Sequence, residues 1–183
     1  MRRKTMREHA LYMMLMAVLG GVPAFSAVAA PEVAVGFSPE GSAEQLVIST
    51  LGDARESIRL MGYSFTSPEV VKMLTAAKRR GVDVRVVVDE KANRSRISQS
   101  AMTLLAGAQI PLRTVSVFPI THDKFFVVDG RTVETGSLNF TRSGERYNSE
   151  NVIVLKDMPE VAQRYLTHWQ SRWDLGADWF PAQ

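Results

Sequence analysis

Residues 57–88 read SIRLMGYSFTSPEVVKMLTAAKRRGVDVRVVV. Ser57–Ser64 reads as a strand. Ser67 as N-cap and Pro68 at the first helical position then open a helix that ends in Lys78-Arg79-Arg80, with Gly81 as its C-cap. Val82–Val88 is rich in valine and reads as a buried strand. Strand, helix and strand in this order form a β-α-β unit, which requires parallel pairing in a covered sheet. The fold class predicted is α/β.

Working outward, Val33–Phe37 reads as a short strand, and Ser42 with Gln45 as a capping box before a helix carrying Leu46, Val47, Thr50, Leu51 and Ala54. Downstream, Asp89–Ser98 (DEKANRSRIS) is polar and follows the C-terminal end of the buried strand. Open α/β sheets place ligand crevices there, and a solvated loop is the plainer reading. A short helix through Met102, Leu104 and Leu105 ends at Gly107, and a strand follows near Leu112–Phe118. Phe125–Val128, Asp129-Gly130 and Arg131–Thr135 spell a hairpin with a two-residue turn. Asn151–Leu155 is another strand, and Pro159 starts a last helix with Val161, Tyr165, Leu166, Trp169 and Trp173 on one side. The hairpin makes the predicted sheet mixed; it is largely buried and flanked by helices on both faces.

At the N-terminus, Arg2, Arg3, Lys4 and Arg7 precede an apolar run from Ala10 to Phe25 that ends in Ser-Ala-Val-Ala-Ala. Residues 1–29 thus read as a secretory signal peptide cleaved after Ala29, with a retained anchor as the alternative, and residues 30–183 as one domain. The expected location is periplasmic or secreted, with no stable membrane association after cleavage. Of the 22 basic and 19 acidic residues, four and one lie in that leader, which leaves 18 of each. Any attraction to an anionic partner must therefore be local, and the basic run is Lys78–Arg96. The absence of cysteine excludes a disulfide framework and a thiol mechanism.

His122-Asp123-Lys124 begins the hairpin strand in this reading, and alternation puts His122 and Lys124 on one face. The return strand leads to Gly136-Ser137-Leu138-Asn139, which brings a hydroxyl and a carboxamide back toward His122. An imidazole that can attack phosphorus, with a cation and hydrogen-bonding groups for its oxygens, suits a phosphodiester. The pattern His122-x-Lys124-x4-Asp129-x6-Gly136-Ser137-x-Asn139 resembles the HKD signature of the phospholipase D superfamily. The likeness extends from Gly36–Gly41 through Tyr63-Ser64-Phe65-Thr66 to Asn148-Ser149-Glu150-Asn151 and His168-Trp169-Gln170. It is similar to the small, single-motif periplasmic endonucleases of that superfamily.

The resemblance implies a phospholipase D-like fold and a covalent, metal-independent mechanism without a cofactor, in which one histidine forms a phosphohistidine and a second protonates the leaving oxygen. It assigns Lys124 and Asn139 to phosphate binding and Glu150 to orienting the imidazole. Ser137 either adds a hydrogen bond or supplies a small residue at a bend. Asp129 belongs to the motif, yet by alternation it points away from His122, and Asp-Gly is a turn dipeptide. His9 leaves with the signal peptide and His168 lies at the edge of an apolar stripe, so the second histidine is expected from a homodimer with the active site at the subunit interface. The expected function is non-sequence-specific cleavage of DNA, or of RNA, with Lys91, Arg94 and Arg96 contacting the backbone. A phospholipid phosphodiesterase with the same chemistry is the alternative. No histidine or carboxylate cluster at ligand spacing accompanies His122, which disfavours a metal-dependent nuclease.

Overall fold

The computed structural model describes residues 30–181; the leader assigned to residues 1–29 lies outside them. A single mixed sheet is built from β1 (Glu32–Ser38), β2 (Ser57–Gly62), β3 (Asp83–Asp89), β4 (Leu112–Val115), β5 (Phe125–Val128), β6 (Thr132–Gly136), β7 (Glu150–Lys156) and β8 (Ala177–Asp178). Its strand order is β1-β7-β6-β5-β2-β3-β4-β8. The β-α-β reading holds: β2, β3 and β4 are parallel, and the remaining pairs are antiparallel.

Side-chain alternation sorts the core into two layers. On one face Ile58, Leu60, Val84, Val86, Val88 and Phe126 pack under α1 (Ser42–Asp53), α2 (Pro68–Arg79) and α3 (Arg96–Gly107). On the other, Met61, Val87, Phe125, Val127 and Val133 meet α5 (Pro159–Leu175). Trp169 of α5 is buried and donates its indole N–H to the Leu60 carbonyl at 2.9 Å, which fixes that helix on β2. Burying a tryptophan with its polar edge satisfied stabilises without leaving an unpaired donor.

Local chemistry accounts for most boundaries. Ser67 accepts from the Val70 N–H at 3.1 Å as the α2 N-cap, and Gly81 (φ 92°) ends that helix. The predicted capping box at Ser42 is not used: Gly41 (φ 89°) is the N-cap, and the Ser42 hydroxyl instead accepts from the Phe37 N–H at 2.8 Å. In the hairpin, Asp129 (φ 52°) and Gly130 (φ 65°) take the left-handed conformation of a type I′ turn, closed by the Arg131 N–H to the Val128 carbonyl at 3.1 Å. The pairing of Val128 with Thr132 leaves Arg131 as one extra residue.

Two expectations are corrected. His122-Asp123-Lys124 does not begin a strand; β5 starts at Phe125, and the three residues form an irregular lead-in. The strand expected near Leu112–Phe118 stops at Val115, because residues 116–124 are held by side chains and not by a neighbouring strand. Short α4 (Arg142–Arg146) and β8 carry too little periodicity to be read from sequence.

Candidate active site

All the elements that converge on His122 do so at one end of the sheet, beyond the C-terminal ends of β2 and β3. Met61 pairs with Phe125, Phe125 with Thr135 and Gly136 with Val152, so the end of β2, the start of β5, the end of β6 and the start of β7 lie side by side. This is the crevice position that parallel sheets favour.

The His122 segment is tied down from three sides. The Thr121 N–H donates to Asp89 Oδ2 at 2.7 Å, Asp123 Oδ1 meets His168 Nε2 of α5 at 2.9 Å, and Lys124 Nζ donates to the His122 carbonyl at 2.7 Å. The His122 side chain itself stays exposed, its ring edge-on to Tyr63 with centroids 4.6 Å apart. Lys124 is buried at 9% exposure, with its ammonium 5.5 Å from the Tyr63 ring centroid. Burial pushes its pKa below the ordinary lysine value, while the charges of Asp123 and Glu150 pull it back up.

The opposite wall is β6 to β7. Gly136 is required here: a Cβ would lie 2.1 Å from the Asn151 carbonyl oxygen, so only glycine lets the two strands approach so closely. Ser137 Oγ donates to Glu150 Oε2 at 2.5 Å and accepts from the Asn151 backbone N–H and side-chain amide at 3.1 and 3.2 Å. Glu150 Oε1 accepts from Asn148 Nδ2 at 3.1 Å. The Glu150 carboxylate is thus held by Ser137 and Asn148, and not by an imidazole N–H as the resemblance implied. Asn139 Oδ1 is buried without a hydrogen-bond partner. Such an atom costs about 1–3 kcal/mol, so this amide is a polar group held at the site without internal satisfaction.

The structure therefore gathers His122, Lys124, Ser137, Asn139 and Glu150 at this end of the sheet. It does not bring Asp129 there. That residue sits at the hairpin tip beyond the other end of β5, where its carboxylate accepts from the N–H groups of Arg55, Glu56 and Ser57 at 2.8–3.2 Å. Lys91, Arg94 and Arg96 follow the C-terminal end of β3 and are exposed, with Arg94 paired to Glu90 at 2.8 Å. Among the described residues, no three His, Cys, Asp or Glu side chains gather as metal ligands.

Several supporting residues are given no role at the site by the sequence. Asn93, buried in the polar stretch, accepts from the Phe65 N–H at 2.9 Å and donates to the carbonyls of Tyr63 and Asp89 at 2.7 Å. With Asp89 it crosslinks the Tyr63 wall to the His122 segment, so this stretch is a buried brace as well as a charged surface. His168, read as a packing residue, holds Asp123 beside the site. Tyr63 and His168 carry a signal in the sequence, because both lie in stretches that extend the family likeness, whereas Asn93 carries none.

An exposed imidazole, a neighbouring ammonium and a hydroxyl–carboxylate pair can provide a nucleophile, charge neutralisation and proton handling at a phosphodiester. Comparison with known proteins agrees. A family model described as "Cardiolipin synthase, PLD-like domain" matches residues 47–173. The crystal structure of Nuc from Salmonella typhimurium, a phospholipase D family member, is 55% identical with a TM-score of 0.81, covering 82% of this chain and 99% of that one. Phospholipase D of Rickettsia bellii is 34% identical over 77% of this chain and 69% of its own length. The mitochondrial cardiolipin hydrolase of Mus musculus is 32% identical over 74% of this chain and 59% of its own length. With His122 and Lys124 of the HKD motif at one end of a mixed sheet and a matching family model over most of the chain, the protein belongs to the phospholipase D superfamily of phosphodiesterases.

Proposed function

We propose that this protein is a metal-independent endonuclease that cleaves nucleic-acid phosphodiester bonds through a phosphohistidine on His122. The observation that carries this reading is the exposed His122 imidazole and the buried Lys124 ammonium set against the same Tyr63 ring, within a chain 55% identical to Nuc along nearly all of Nuc's length. His122 Nε2 or Nδ1 attacks phosphorus while Lys124 and the Asn139 amide stabilise the charge that develops on the phosphoryl oxygens. Water then hydrolyses the phosphohistidine. Ser137 and Glu150 form a hydrogen-bonded pair that adds a carboxylate beside Lys124 and keeps it charged. Asp129 braces the hairpin at its tip and takes no part in the chemistry.

A leaving oxygen needs a proton, and among the described residues His122 alone of the histidines faces the site with a free ring. We assign the second to His122 of another copy, in a homodimer with one shared active site. One imidazole must be neutral to attack and the other protonated to donate. Lys91, Arg94 and Arg96 contact the substrate backbone without reading bases. The location that fits the leader is periplasmic or secreted. Incubating the purified protein and a His122→Ala variant with supercoiled plasmid in excess EDTA tests the reading. Nicking by the wild type alone is the expected result; cleavage that EDTA abolishes, or that the variant retains, would overturn it.

One observation favours a second reading. Val117 and Ile120 are 59% and 52% exposed on the His122 segment, an apolar rim that suits a lipid substrate, and curated relatives carry phospholipase D and cardiolipin hydrolase names. Release of headgroup from phospholipid vesicles, with no plasmid nicking, would select it.

A further inference from the structure

Glu145 is buried at 1% exposure in α4, and its Oε1 has no hydrogen-bond partner. It follows Asn139 closely, and the intervening turn is tight. The Thr141 N–H meets the Asn139 carbonyl at 2.6 Å, the Glu145 N–H meets the Thr141 carbonyl at 3.0 Å, and a Cβ on Gly144 would lie 2.4 Å from the Asn139 carbonyl oxygen. The turn leans on the N-terminal end of α2, where the N–H groups of Thr66 and Ser67 both donate to the Phe140 carbonyl at 2.9 Å. Beside the Glu145 carboxyl lies a cavity of about 110 Å³ lined by Pro68, Glu69, Arg142, Glu145 and Arg146.

The groups facing this carboxyl come from three helices. Glu44 of α1 is ion-paired with Arg146 at 2.7 Å, α2 contributes Glu69 and its N-cap Ser67, and α4 contributes Arg142 and Arg146. Burial is the largest influence, and with the negative charges of Glu44 and Glu69 it outweighs the Ser67 hydroxyl and Arg146, pushing the Glu145 pKa up to about 7. A neutral carboxyl can stay packed there. An ionised one demands hydration, and the adjoining cavity has room for water.

We propose that Glu145 is a positioning residue for Asn139: its neutral carboxyl pegs the Asn139–Arg146 turn against the N-terminal end of α2, and ionisation hydrates the cavity and loosens the peg. The consequence for catalysis rests on the reading of Asn139 as a phosphate ligand; the coupling itself does not. Because Thr66 and Ser67 continue from Tyr63, the same contact joins the two walls of the site.

The test is an NMR titration of the Asn139 side-chain amide and the Phe140 backbone amide from pH 5.5 to 8.5, alongside kcat on bis(p-nitrophenyl) phosphate. A step near pH 7 is expected in the wild type and in His122→Ala, which shows that the histidine does not cause it. The step should vanish in Glu145→Gln and move to lower pH in Glu69→Gln, where a charge that disfavours ionisation is gone. Relative to wild type, Glu145→Gln should have equal kcat at pH 6 and at least about threefold higher kcat at pH 8. Flat Asn139 and Phe140 resonances in the wild type, or an unchanged step in Glu145→Gln, would overturn the proposal. Resonances that follow Glu145 in a protein that hydrolyses no diester would support the coupling and sink the catalytic reading of the site.

Discussion

Lys124 shows how one residue can be costly and indispensable together. Its ammonium is largely removed from water, and the structure compensates with the His122 carbonyl, the Tyr63 ring face and the charges of Asp123 and Glu150. A fixed cation with little hydration is worth more to a developing phosphoryl charge than an exposed one, because less solvent screens it. Lys124→Met keeps the aliphatic stem and removes the charge. We expect kcat on a small diester to fall by about 10²–10³-fold, while the thermal midpoint stays level or rises as a buried charge is lost. Parallel calorimetry and kinetics check this; a matching fall in stability would mean that Lys124 acts through the fold.

Among the elements, the β5–β6 hairpin carries two features that separate structure from chemistry. At its tip, Asp129 receives three backbone N–H groups at the entry to β2 and holds a positive φ. Asp129→Ala should destabilise by about 2–4 kcal/mol through the unpaired donors and the strained backbone, yet change kcat less than about threefold at temperatures where the variant is folded. A large loss of kcat without loss of stability would return Asp129 to the chemistry. In the middle of β6, Glu134 is wholly buried beside Phe126 and Val154, and its Oε2 has no partner. Burial raises its pKa well above the usual carboxylate range. Its proton is therefore bound more tightly in the folded state. The associated stability is complete below the unfolded pKa near 4.5 and is lost as pH rises toward the folded value. Glu134→Leu should accordingly flatten the decline and raise the midpoint at pH 8 by roughly 5–10 °C, with a smaller gain at pH 5. Thermal melts at both pH values decide it, and equal gains at both would contradict a buried neutral acid.

For the whole molecule, the proposed shared site makes activity a property of pairs. Mixing wild type with excess His122→Ala, after exchange of subunits, should lower the specific activity per wild-type chain toward zero, because mixed pairs hold one imidazole. Unchanged specific activity in mixtures whose exchange is verified would assign the whole reaction to one subunit. Charge behaves similarly at this scale. Over residues 30–183 the basic and acidic residues balance, so affinity for a polyanion depends on where cations are left unpaired. Lys91 and Arg96 form no ion pair among the described residues, whereas Arg94 is partly spent on Glu90.

The β-α-β unit, the hairpin and the apolar faces were legible because each is local: a capping serine, a proline at a helix start, glycine past a helix end and alternation within one strand. The HKD spacing likewise named His122, Lys124, Ser137 and Asn139, since a motif at fixed intervals survives without coordinates. What the tertiary structure alone decided comes from contacts far apart in sequence. It bound the Asp129 carboxylate to the N–H groups of Arg55, Glu56 and Ser57, gave the Glu150 carboxylate to Ser137 and Asn148, and turned His168 from a packing residue into the partner of Asp123. It also buried Asn93, Glu134 and Glu145. A polar residue's burial depends on which distant elements close over it, and no periodicity within its own element records that.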